Sequence, residues 1–373
     1  MELTSAADAL RRVLVPFLAA GSAIVALLLV TLVVQRGARS VSQEKRRRLQ
    51  KRYRPLVDSV LGKVTHGAAI SALRRAPARH APIIGDLLLA PLRSMSGRPV
   101  EGARELARSV GLADRWRTEL THRHWWLRAG AARALGLIAD PSAYEGLVAA
   151  LDDAHDEVRA AAVEGLGRLG DARAVSELVA RLPSQSRHQR VRIIEALREI
   201  GRAAGPQILE YARQHVESLP LVGNVLALTS GPVAVADVTN WCGHDRADVR
   251  AAALGALGTI GLDDRTYYHA LKALGDPDPT VRAMAARAVG RSGRGDAARY
   301  LARHLDDDWA VAGQSARALR DLGPDGLRRL EISAASGGPA AGLARQMLWE
   351  ASVRGVHQSG SKTLPALPRL LAR

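Results

Sequence analysis

The sequence has 373 residues, enough for two domains or one long repeat array, and 47% are hydrophobic although only 3% are aromatic. Its one cysteine, Cys242, excludes a disulfide framework and a thiolate metal site built from several cysteines, and is compatible with a reducing compartment. The net charge of +16 is unevenly placed: residues 36–54 carry nine Arg/Lys against one Glu, whereas residues 125–332 carry 26 basic and 27 acidic residues, which argues against repeats that wrap nucleic acid.

After a short segment of residues 1–12, Val13 to Val34 runs 22 residues without a charge. As a helix it would be about 33 Å long, enough for a hydrocarbon core of about 30 Å. A cleaved signal peptide has a shorter apolar core and a small-residue cleavage site after it. The expectation is therefore an uncleaved transmembrane helix over 13–34. Arg11 and Arg12 precede it and nine basic residues follow within nineteen, so the N-terminus is expected outside and the rest in the cytosol. The chain would be a single-pass protein of the cytoplasmic (inner) membrane. In the basic juxtamembrane segment 35–54, Lys45, Arg46, Arg47, Arg48, Lys51 and Arg52 would lie against anionic lipid head groups, each worth about 1 kcal/mol near the surface. A topology signal alone, or a dedicated lipid or RNA contact, explains the same run.

Residues 55–124 read as degenerate capping repeats joining the anchor to the array, with Pro55 ending the basic segment and breakers at Pro77 and Pro82. Pro99–Gly111 resembles a first-helix copy, with Val100, Ala107 and Val110 at the repeat offsets. Trp116, Trp125 and Trp126 suggest either a packing plug or an exposed aromatic docking spot.

From residue 125 a unit recurs. A Gly follows an apolar stripe at Gly170, Gly201, Gly231, Gly261, Gly293 and Gly323, spaced by 31, 30, 30, 32 and 30 residues, with an earlier copy ending at Ala139. Stripes such as Val158, Ala162, Leu166 and Leu169 lie on one face at helical period. The Gly suits a left-handed helix end, and Asp140-Pro141, Asp171 and Asp263 suit the start of a second helix. Two helices in a period near thirty mean a stacked α-solenoid over 125–332. The fourth unit (219–242) departs from the pattern, with Pro220, Gly223, Asn224 and Ser230 at usually Arg or apolar positions; drift, or a bend or binding site, would explain it. A capping helix is expected over 333–354, with Leu343, Met347 and Leu348 on one face, and a flexible tail over 355–373.

The stretches Asp156–Asp171 (DEVRAAAVEGLGRLGD), Ala247–Gly261 (ADVRAAALGALGTIG) and Pro279–Gly293 (PTVRAMAARAVGRSG) resemble the short HEAT repeats of bacteria, of the kind seen in phycobilisome lyases. The resemblance implies an all-α fold, a right-handed α-solenoid of HEAT-like helix pairs preceded by one transmembrane helix. It specifies a fold and no activity.

Some HEAT proteins are metal hydroxylases using His-Glu pairs; this chain has no His-Glu dipeptide, and its two His-Asp pairs, His155-Asp156 and His244-Asp245, lie in turns. Cys242 alone is a poor basis for bilin-lyase chemistry. No phosphate-binding glycine loop, nucleophile elbow or zinc-peptidase motif is present. Arg128, Arg159, Arg190, Arg250 and Arg282 stand at one phase, beside turn carboxylates such as Asp156, Asp248 and Asp278, and read as a structural ladder or an anion-binding strip.

The sequence therefore points to a membrane-anchored, non-catalytic scaffold without cofactor or metal. It would bind a protein partner, such as a membrane enzyme, on a concave face lined by second helices. The residues expected there are Glu177, Arg181, Tyr211, Gln214, Trp241, Tyr268, His269, Lys272, Arg299, Arg303 and His304, a mixture that suits polypeptide better than a phosphate backbone. The alternatives are a HEAT-type enzyme of the bilin-lyase or metal-hydroxylase kind, and a nucleic-acid or anionic-lipid binder acting through 36–54.

Overall fold

The computed structural model describes residues 43–62, 67–93 and 98–359, and every regular element among them is helical. The expected membrane helix 13–34, the segment before it and residues 360–373 lie outside the described residues. The chain divides into two units, one ending at Thr118 and the other starting at Glu119.

In the first unit, α1 covers residues 43–61 and passes through Pro55 unbroken, so the basic segment does not end there as a structural element. Tyr53, Val57 and Val60, at helical spacing, are buried, while Lys45, Arg46, Arg47, Arg48, Lys51 and Arg52 are exposed. Tyr53 Oη lies 2.9 Å from His80 Nδ1, and Arg46 pairs with Asp86. The helices α2 (Gly67–Arg74), α3 (Ala81–Leu92), α4 (Arg98–Ser109) and α5 (Leu112–Glu119) complete the unit. Trp116, 8% exposed, lies against Gly85, where a Cβ would come within 3.1 Å of the indole. Gly111, with φ +74°, follows α4, as expected of a first-helix copy.

The second unit is the solenoid. Its first helices are α6 (Trp125–Leu137), α8 (Asp156–Leu169), α10 (Arg187–Ile200), α12 (Leu219–Ser230), α14 (Ala247–Ile260), α16 (Pro279–Arg291) and α18 (Trp309–Asp321). Its second helices are α7 (Tyr144–Ala150), α9 (Ala174–Arg181), α11 (Gly205–Gln214), α13 (Val235–Trp241), α15 (Asp264–Lys272), α17 (Ala297–Leu301) and α19 (Pro324–Ala335). A last helix, α20 (Ala341–Ser359), closes the array with Met347 buried and Leu343 and Leu348 half-buried. It runs five residues past the expected end at 354, and α19 continues across the expected boundary at 332.

Within two residues of the end of each first helix the chain takes positive φ, from +51° at Gly231 to +110° at Gly261, and +47° at Ala139 where the series lacks glycine. At Ala139 the helix ends in a Schellman arrangement: the Asp140 N–H donates to Leu135 O (3.1 Å) and the Ala139 N–H to Gly136 O (2.9 Å). Carboxylates then start the next helix. Asp171 accepts the Arg173 N–H at 2.9 Å and Asp263 the Thr266 N–H at 2.8 Å.

The stretch Val216–Trp241 is long and apolar enough to cross a membrane by composition, with mean hydropathy 1.6. Its chain direction breaks at Gly231, φ +51°, between α12 and α13, and Val222, Val225, Leu226 and Val238 are buried in the solenoid. The fourth unit is thus a regular helix pair. Pro220 sits in the first turn of α12, where its missing N–H has no helical partner to lose.

Candidate interaction surface

The phase-locked arginines point inward. Arg128 makes two bonds to Asp153 (2.6 and 2.7 Å), Arg250 two to Asp276 (2.9 and 2.8 Å), and Arg282 two to Asp307 (3.0 and 2.7 Å). Each carboxylate lies 25 or 26 residues on, in the turn before the next first helix. The third guanidinium nitrogen donates to carbonyls of the turn before the arginine's own helix: Arg250 Nη1 to His244 O and Asp245 O (2.9 and 2.8 Å), Arg282 Nη1 to Asp276 O and Pro277 O (2.9 and 3.0 Å). Each arginine therefore staples two consecutive turns. The six side chains are only 12–17% exposed. The hydrogen bonds from their arginines hold Asp153, Asp276 and Asp307 well below the usual carboxylate range. This is a structural ladder and leaves no anion-binding strip at these positions. Its carboxylates differ from those expected: Asp248 pairs with Arg246, and Asp278 caps α16.

The ladder lapses in the middle of the array. Arg159 pairs with Asp156, itself 77% exposed, and Arg190 reaches only the carbonyls of Leu182 and Pro183. The residues 25 and 26 beyond them are Ser184, Gln185, His215 and Val216, none a carboxylate.

Neighbouring first helices pack closely on one another. A Cβ added at Gly167 of α8 would come within 2.7 Å of Ala196 Cα in α10, and one at Gly258 of α14 within 2.9 Å of Ala288 Cα in α16. Gly290 of α16 is closed by Ala318 of α18 in the same way. Open grooves of about 530 Å³ between α13 and α15 and of about 490 Å³ between α17 and α19 lie on the second-helix side.

The expected partner-binding residues divide accordingly. Arg181 is committed to Asp152 (2.8 Å) and Glu177 (2.9 Å), which removes both Arg181 and Glu177 from a free surface. His304 Nδ1 lies 3.0 Å from Asp307 Oδ2 and belongs to the ladder. Tyr211 is half-buried against His215, and burial pushes its hydroxyl pKa up. Gln214 is held by Glu210 (2.9 Å), and Trp241 is half-buried at the end of α13. His269 and Lys272 line the groove between α13 and α15, and Arg299 that between α17 and α19; with Tyr268 (68% exposed) and Arg303 they lie on the open, second-helix side. Cys242, in the α13–α15 groove, is a protonated thiol, its pKa pushed up to about 12 by burial. Trp125 and Trp126 are 39% and 54% exposed, stacked on His155 and His124, and do not form the buried plug; Trp116 alone is buried.

The first-helix side, missed as a candidate surface, carries two grooves. One, of about 400 Å³ between α8 and α10, is lined by Glu164, Arg168, His188, Val191, Arg192 and Glu199 among others. Burial pushes the Glu199 carboxyl up, with Arg168 opposing and Glu164 and Glu195 reinforcing. The other, of about 350 Å³ between α16 and α18, has Gly290 and Ala318 on its floor and Arg287, Arg291, Gln314 and Arg317 on its walls. Between them the face is weakly polar, with Leu228 49% exposed and Asn224 exposed. Among the described residues no group of three or more His, Cys, Asp or Glu is placed to hold a metal ion.

The family model for HEAT repeats matches residues 113–198, 235–320 and 268–335, together half of the chain. No curated protein matches the sequence. Among solved structures, the complex of CpcE and CpcF of phycocyanin lyase from Nostoc sp. PCC7120 is similar at 21% identity, with 64% of this chain and 94% of that one covered and a TM-score of 0.33. Human deoxyhypusine hydroxylase is similar at 19% identity over 81% of this chain and 95% of that one (TM-score 0.28). Importin beta is similar at 14% identity over 83% of this chain and 49% of that one (TM-score 0.36). The glycine-ended first helices, the paired second helices and the match over half the length lead to one conclusion: the chain belongs to the HEAT-repeat family.

Proposed function

We propose that the protein is a non-catalytic HEAT-repeat scaffold that holds a protein partner along the first-helix face of its solenoid. The observation that carries this reading is the division of labour among its polar side chains. Arg128, Arg250 and Arg282 are consumed in the ladder, whereas the first-helix face presents Arg192, Arg287, Arg317, Glu195 and apolar side chains such as Val191 in grooves along a stack of near-zero net charge. Mixed arginine and apolar surfaces of this kind suit polypeptide. The uncharged run Val13–Val34 and the basic residues after it support a tether in the cytoplasmic membrane with the repeats in the cytosol. The exposed basic side of α1 then faces anionic head groups.

Photo-cross-linking from Asn224 and Gln314 in native membranes, followed by identification of the captured polypeptide, tests the reading. A single partner captured from both positions is expected, with the chain itself in the membrane fraction. Turnover of a substrate by the purified chain alone, or recovery of the full-length chain in the soluble fraction, overturns it.

A further inference from the structure

The groove between α16 and α18 has a basic excess: Arg287, Arg291 and Arg317 stand with one lining carboxylate, Asp321, whereas the α8–α10 groove sets Arg168 and Arg192 against Glu164, Glu195 and Glu199. Arg287 and Arg317 are exposed and make no ion pair among the described residues. Arg291, beside them, donates from Nη1 to the hydroxyl of Thr259 at 3.2 Å and to no carboxylate. Asp321, the acidic residue on this groove, is engaged by Arg320 at 2.9 Å, and Arg320 also binds Glu350. Elsewhere in the solenoid Arg128, Arg181, Arg213, Arg250 and Arg294 all face carboxylates. Three guanidiniums thus share one groove with a single lining carboxylate that Arg320 already engages.

The floor beneath them is Gly290 packed on Ala318, so a bound chain reaches close to the backbone of both helices. Guanidinium groups match carboxylates in planar two-bond geometry. The near-neutral array around the groove does not concentrate a polyanion and so favours a short polypeptide segment.

We infer that this groove takes a short acidic segment of the protein partner, with carboxylates on Arg287, Arg291 and Arg317. The inference rests on the scaffold reading above and names the chemistry of what the scaffold grips.

The test uses the full-length chain in detergent and a fluorescein-labelled peptide of alternating Glu and Leu, read by anisotropy. The wild-type protein binds the peptide, and the double variant Arg287→Gln/Arg317→Gln weakens it at least about tenfold, with binding falling as salt rises. The control Arg328→Gln/Arg329→Gln, on α19, stays within about twofold. Because all four positions are exposed, circular dichroism melting is unchanged in either variant. No peptide binding by the wild-type chain, or equal binding by the groove variant, overturns the inference. So does an oligonucleotide or a phosphatidylserine vesicle that outcompetes the peptide at matched charge. Cross-linking separates the two levels: undiminished partner capture by the groove variant refutes the groove alone, whereas absence of any partner with the wild-type chain refutes the scaffold reading.

Discussion

Replacing Arg250 by Ala removes one staple of the ladder and allows a quantitative check. The side chain is 14% exposed and makes two bonds to Asp276 and two to carbonyls of the preceding turn. Hydrogen bonds to charged groups are worth roughly 1.5–3 kcal/mol, and they are not additive when shared by one side chain. Leaving Asp276 half-buried without its partner adds a desolvation cost, so the variant loses about 3 kcal/mol of local stability. Arg159→Ala is the matched control. It stands at the same phase and keeps a carbonyl bond to Asp153 at 2.7 Å, but its carboxylate partner Asp156 is 77% exposed, so the loss is about 1 kcal/mol. Hydrogen exchange of the α14 and α16 amides, and of α8 for the control, reads both. At 1.36 kcal/mol per tenfold, protection falls about 150-fold in the first variant and about fivefold in the second. The pH arm has a fixed sign. Asp276 is held low by Arg250, so its contribution is whole above the unfolded carboxylate pKa of about 3.9 and is lost as pH falls toward the folded value. The wild-type advantage over Arg250→Ala therefore shrinks below about pH 4. Equal effects of Arg250→Ala and Arg159→Ala at neutral pH would refute the ladder as the inter-repeat staple.

Three further outcomes are expected. Ala139→Gly relieves a left-handed alanine worth about 1–2 kcal/mol but adds unfolded-state freedom of about 0.4–1 kcal/mol, so α6 gains about 0.5 kcal/mol in a denaturant titration; a loss would contradict the φ of +47°. Gly258→Val drives a side chain into Ala288 of the next first helix and costs at least about 1–3 kcal/mol, visible as a lower melting temperature; an unchanged melt would mean the seam is looser than described. Cys242, with its pKa pushed up to about 12, reacts with iodoacetamide at pH 8 far more slowly than a free thiol until urea is added; rapid labelling of the native chain would show that the thiol is not buried.

The period, the pairing of helices and the points where the chain reverses were legible from residue types alone. Glycine after each apolar stripe marks a left-handed residue, and an Asp one or two residues on, such as Asp171 or Asp263, marks the next start, because both effects act over a single turn. Even the exception at Ala139 kept its phase, since the Schellman bonds around it impose the conformation. The seam was also written there: Gly167, Gly258 and Gly290 all lie on first helices, where small residues let neighbouring layers approach.

What tertiary structure alone decided is which charge meets which. From sequence, Arg250 stands beside Asp248, two residues away; in the fold it reaches Asp276 in the next turn. Proximity along the chain is local, whereas an arginine side chain spans the gap between stacked layers, and only the stack brings that turn within reach. The same geometry gathers Arg287, Arg291 and Arg317 around one groove that carries a single lining carboxylate, a fact that no composition or spacing carries.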